Sequence, residues 1–167
     1  AGTTLNASGI GLSSGANVVI GSATDTGIVN AYGSGALGLP TGTLHVAGGT
    51  LTGMLAGFWS ANLASTTVDA GATLDYGSGV GVIRNLQGAG KVQAGTQLFV
   101  NEGSFSGEIA GTAALVKNGA GTLRVAQGPA FNGYMGASIE SPDARRGPFT
   151  GWLALVETLP GGTEGWP

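Results

Sequence analysis

Six aliphatic residues, Leu5, Ile28, Leu51, Leu74, Leu98 and Leu123, recur along the chain at steps of 23, 23, 23, 24 and 25 residues. A second series, Val46, Val68, Val92 and Val116, keeps steps of 22, 24 and 24, each valine followed within three residues by glycine. Between residues 68 and 125 the two series interlock into a unit of about 24 residues. A fixed period of this length means a stacked, quasi-one-dimensional architecture, in which a unit buries its apolar face only against its neighbours. Function must then be read for a rod with sides and ends.

The residues between the beats choose the element. The chain holds 34 glycines in 167 residues, and each glycine inside a helix costs about 1 kcal/mol relative to alanine. Short strands fit instead. Thr66-Thr67-Val68-Asp69, Gly90-Lys91-Val92-Gln93 and Ala114-Leu115-Val116-Lys117 each set apolar among polar residues and stop near glycine, and so do the segments around Leu74, Leu98 and Leu123. A third strand per unit is suggested by Gly81-Val82-Ile83-Arg84, by Ser106-Gly107-Glu108-Ile109 and, upstream, by Gly53-Met54-Leu55. Three strands joined by glycine corners and wound once per unit predict an all-β fold, a parallel β-helix of about six coils. Coils about 4.8 Å apart make a rod on the order of 30 Å long, right-handed because parallel crossovers overwhelmingly are. Outward positions should form columns, with Asp69, Gln93 and Lys117 on one face and Asp75, Phe99 and Arg124 on another.

The beat fades after Phe131, so repeats are expected over 1–133 and an irregular C-terminal cap or tail over 134–167. There Trp152-Leu153-Ala154-Leu155-Val156 is expected to cover the last coil as a strand or short helix, since an open end exposes unpaired backbone.

Composition removes whole classes of function. Cysteine is absent, which excludes disulfides, thiolate metal sites and thiol catalysis. A net charge of −3 with six Lys and Arg and no basic stripe argues against nucleic acid as a partner. Apolar runs are short and glycine-broken, so neither a secretory signal nor a transmembrane helix is expected within these residues. Hydrophobic residues still make up 42% of the chain, too many for a disordered low-complexity segment.

One stretch carries more than a period. Phe105-Ser106-Gly107-Glu108-Ile109-Ala110-Gly111, then Leu115-Val116-Lys117-Asn118-Gly119-Ala120-Gly121-Thr122-Leu123, then Phe131-Asn132-Gly133, closely resembles the autotransporter-associated β-strand repeat. A weaker echo runs from Tyr32 through Gly42-Thr43-Leu44-His45-Val46 to Leu51, so the resemblance covers roughly residues 30–133. It implies a passenger domain of a Gram-negative autotransporter: a right-handed β-helix displayed outside the cell. Members of that family also carry a C-terminal outer-membrane β-barrel. No run of alternating ten-residue strands follows residue 133, so the chain is expected to be a passenger fragment, a released passenger or a barrel-less relative. The repeat carries no catalytic residues of its own, and passengers include adhesins, proteases and esterases.

The candidates for chemistry are few. His45 is the sole histidine, at an outward strand position between two core residues, and no G-x-S-x-G elbow occurs. Asp69 and Asp75 are the only acids paired within one unit; glycosidase chemistry needs two converging carboxylates, and the Gly71 corner between these two predicts divergence. Gly33-Ser34-Gly35 and Gly77-Ser78-Gly79 lack the lysine of a phosphate loop and read as corners. No metal motif is present, and no cofactor is expected. The candidate binding residues are Phe58 and Trp59, which break the small-residue texture as a sticky patch, and Trp152 in the cap. The chain is thus expected to be a non-enzymatic, extracellular structural or adhesive module. Its partner would be a host or neighbouring-cell surface protein or glycan, with self-association into a fibre or matrix as one alternative and a carbohydrate-active enzyme as another.

Overall fold

The computed structural model describes residues 3–10, 15–37, 42–52, 63–111, 114–117, 121–125, 131–134 and 139–140. Among them every regular element is a strand, and every pairing is parallel. Odd and even strands alternate between two sheets. Sheet A stacks β1 (Thr4–Ile10), β3 (Ile28–Leu37), β5 (Thr50–Thr52), β7 (Thr73–Asp75), β9 (Lys91–Gln93) and β11 (Glu108–Ala110) in chain order. Sheet B stacks β2 (Asn17–Ile20), β4 (Thr43–Val46), β6 (Ser65–Val68), β8 (Val80–Gly88), β10 (Gln97–Phe105), β12 (Ala114–Lys117) and β14 (Phe131–Tyr134). Beside them β13 (Leu123–Val125) pairs with β10 and β15 (Ile139–Glu140) with β13, so parallel pairing runs on past residue 133. The chain is a parallel β-solenoid.

Its interior is one hydrophobic cluster, mostly aliphatic with Tyr76 and Phe105, running from Ala31 to Val125 and lined by both sheets. In sheet A the inward column is Leu5, Val29, Leu51, Leu74, Val92 and Ile109. In sheet B, Val46 stacks on Val68, and further along Leu98 stacks on Leu115 while Ile83 stacks on Val100. Alternation along each strand is strict where glycine corners set the phase: β6 and β4 bury every second residue, and β8 begins the same way.

These columns correct the register read from the sequence. Leu74, Leu98 and Leu123 are not vertical neighbours: Leu74 lies in sheet A, and the other two lie on separate stretches of sheet B, Leu123 against Gly103. Val29, not Ile28, fills the second inward place, and Ile28 is 39% exposed. Val92 pairs with Leu74 and not with Val68. On β12 the inward residues are Leu115 and Lys117, leaving Val116 half-buried.

The reason is a change in coil length. Partners in sheet A lie 23 residues apart from Leu51 to Leu74, then 18 to Val92 and 17 to Ile109. A step of 24 in the shorter coils overshoots one turn and lands on the next strand of the following turn. Corners as close to their neighbours as Gly88-Ala89-Gly90, between β8 and β9, need glycine. Gly88 takes φ +107°, and a Cβ there would run into the carbonyl oxygen of Val68 in the preceding coil. Only glycine combines that backbone with that approach.

Three strand positions per coil emerge in the later turns. The single long strand β10 pairs with β12 through Gln97–Val100 and with β13 through Gly103–Phe105, so one nine-residue strand is succeeded by two short ones. The Gly53-Met54-Leu55 segment and, in the expected C-terminal cap, everything but Tyr134 and Ile139–Glu140 lie outside the described residues.

Candidate functional site

The outer face of sheet B follows from the same alternation that builds the core. Because Leu44 and Val46 point inward and are fully buried, His45 between them must point out. Stacked pairing then places Val19, His45, Thr67, Gln87, Ser104 and Arg124 in one outward column. A second column beside it begins Asn17, Thr43, Ser65. His45, Thr43, Ser65, Thr67 and Gln87 are half-buried, flanked above and below by their stacked neighbours.

Hydrogen bonds tie this face together. The Thr43 hydroxyl donates to Asn17 Oδ1 at 2.8 Å, and Gln87 Nε2 donates to Asn85 Oδ1 at 2.6 Å. His45 Nε2 lies 2.8 Å from Asp69 Oδ2. A carboxylate only accepts, so Nε2 carries the proton in this contact. Sequence reasoning placed His45 outward but missed this partner: the two residues are 24 apart, and only the stacking of β6 on β4 makes them neighbours.

The other singled-out acid goes elsewhere. Asp75 sits on the outer side of sheet A, where it accepts from the Thr52 hydroxyl at 3.3 Å and from the Gly77 backbone N–H at 2.7 Å, closing a turn. Asp69 and Asp75 thus engage different partners on different sheets. The expected column of Asp69, Gln93 and Lys117 does not form, because Gln93 stacks on Asp75 in sheet A and Lys117 is buried in sheet B. The column of Asp75, Phe99 and Arg124 fails likewise: Phe99 pairs with Val82 and Val116, Arg124 with Ser104.

Lys117 was the least expected. It stacks inward on Val100, is 1% exposed, and its ammonium donates to the Asn101 carbonyl within β10. Burial pushes its pKa below that of an ordinary lysine, and nearby Glu102 opposes the shift. The contact ties β12 to β10, the strand of the coil before it.

Among the described residues no group of three or more His, Asp or Glu converges to hold a metal ion. Phe58, Trp59 and Trp152 lie outside the described residues. No helix among the described residues is long and apolar enough to cross a membrane. No protein-family model, curated protein or solved structure matches this chain.

Proposed function

We propose that the chain is an extracellular, passenger-type surface module whose work is structural presentation and adhesion, the rod being right-handed as parallel crossovers generally are. The observation that carries the reading is the outer face of sheet B. From Val19 to Gln87 it offers rows of stacked, mostly neutral hydrogen-bonding side chains, repeated once per coil and held by the core beneath. Such a face makes many weak polar contacts with a repetitive surface, and their avidity grows with the number of coils engaged. The partner class is a glycan or glycoprotein of a host or neighbouring cell.

The resemblance to the autotransporter repeat supports export and display. In the solenoid the apolar residues of that motif, Phe105, Ile109, Leu115 and Leu123, are core residues. Its Gly107 lies where a side chain would strike the Gly90 carbonyl of the coil before. These residues shape coils, which is the work of a scaffold, and the functional surface is left to the columns between them.

Binding of the purified chain to a glycan array and to intact bacterial and epithelial cells tests the reading. Saturable binding, weakened by Thr67→Glu without a loss of stability beyond about 0.5 kcal/mol, is expected. Absence of binding to every glycan and cell type would overturn it.

A further inference from the structure

The alternation that fills the core also sets one run of apolar residues on the outside of the rod. In β10, Leu98 and Val100 are fully buried, so Phe99 between them points out. β8 sets Val82 outward between Gly81 and Ile83 in the same way. Parallel register then stacks Val82, Phe99 and Val116 in one column across three coils, each of them half-buried. Beside that column Val80 pairs with Gln97, both half-buried and both on the same outward side two residues earlier. None of these five residues is charged, and beyond the strip the exposed Arg84 and Glu102 carry opposite signs.

The strip is narrow, and it runs on into polar surface. Three stacked strands cover about 10 Å along the rod, and the two outward places on each strand lie about 7 Å apart. Even four residues wide and extended along 30 Å of rod, such a strip would offer roughly 400 Å², about half of the ~800 Å² that a stable protein interface takes from each partner. A second copy of the chain or another protein therefore fits it poorly. The strands that carry the strip also carry the polar columns of sheet B: β8 passes from Val82 to Gln87, and β10 from Phe99 to Ser104. A small ligand lying here meets an apolar surface beneath it and hydrogen-bonding groups at its edge.

We propose that Phe99 is the stacking platform of a glycan subsite, and that its occupant is a neutral, β-linked, gluco-configured pyranose chain. In such a sugar every ring substituent is equatorial, so hydroxyls line the rim while C–H bonds cover both faces. One C–H face lies on the aromatic ring and its valine neighbours, where burial of apolar surface favours it. The Gln97 side-chain amide supplies both a donor and an acceptor to the rim hydroxyls. An uncharged strip selects an uncharged sugar over a sulfated or carboxylated one. This inference rests on the adhesive reading and narrows its partner to one sugar geometry on one side of the rod.

Titration of the full chain with cellotetraose, followed by calorimetry and by the NMR signals of the Phe99 ring, tests it. Saturable binding with a shift of those signals is expected. Phe99→Leu keeps the apolar bulk and removes the ring, and should weaken the affinity about fivefold or more. Phe99→Tyr keeps the ring and should retain the affinity, a rescue that a purely structural role would not require; both are read below their thermal midpoints, on folded protein. Glycan and cell binding left unchanged by Phe99→Leu would overturn the inference while the adhesive reading stands, and so would binding of other glycans without cellotetraose. Cell binding that Phe99→Leu abolishes but that survives enzymatic removal of surface glycans would assign the strip to a protein partner and overturn it too. A wild-type chain that binds no glycan and no cell would overturn both readings.

Discussion

Lys117 shows how a single residue can depart from the pattern and still be held by it. Its stem continues the column of Ile83 and Val100, and its amine finds the Asn101 carbonyl on the neighbouring strand β10. A long aliphatic stem with a polar tip can do both. Desolvation lowers its pKa in the folded chain, so between the folded and unfolded values the unfolded state binds more protons and stability rises with pH. The penalty is full below the folded pKa and gone above the ordinary lysine value of 10.5. Lys117→Met should therefore be more stable than the wild type at neutral pH, and the gap between their urea midpoints should narrow as the pH is raised toward and past 10.5. A gap that widens with pH would contradict this account. Thr66 is the quieter counterpart, a buried hydroxyl without a hydrogen-bond partner among the described residues, stacked between Leu44 and Leu86.

At the scale of the element, corners decide more than strands. Sheet A strands after β3 hold only three residues, and their few ladder bonds are useful only if each corner delivers the chain in register. At Gly88, both the positive φ and the nearby Val68 carbonyl forbid a side chain. Gly88→Ala should lower stability by roughly 2–4 kcal/mol, combining a strained backbone with a steric shift. At Gly71, φ is also positive but a Cβ would meet open space, so Gly71→Ala should cost about 1 kcal/mol. Thermal unfolding of the two variants side by side measures the difference; equal losses would show that close approach between coils is unimportant. Gly81 illustrates a third use, since a Cβ there would lie 2.7 Å from Leu98 Cδ1 and 2.8 Å from Tyr76 Cδ2. The buried Tyr76 ring borders the space that the missing side chain leaves.

For the whole molecule, stability is carried from coil to coil. Each strand's ladder bonds go only to strands of the coils before and after it, so unfolding should be graded along the axis. Amide exchange should be slowest in β5, β7 and β9, which have neighbours on both sides, and faster in β1 and β11, the outermost strands of sheet A among the described residues. Mass spectrometry of proteolytic fragments reads that gradient directly, and a first coil as protected as the middle would refute it.

Local chemistry alone specified strands, glycine corners, a stacked parallel architecture and the outward position of His45, because apolar alternation and the intolerance of helices for glycine act over a few residues. The sequence did not reveal which strand stacks on which. Every strand position in this chain uses the same local grammar, an apolar residue followed by a glycine corner, so a beat of 24 reads alike whether it marks one full coil or one coil plus a strand. Closure of the coils resolved that ambiguity. It shortened the later turns to 17 and 18 residues, moved Val92 onto Leu74, turned Lys117 inward and brought Asp69 to His45. Register is a property of contacts between residues distant in sequence, and packing around a shared core is the force that selects among them.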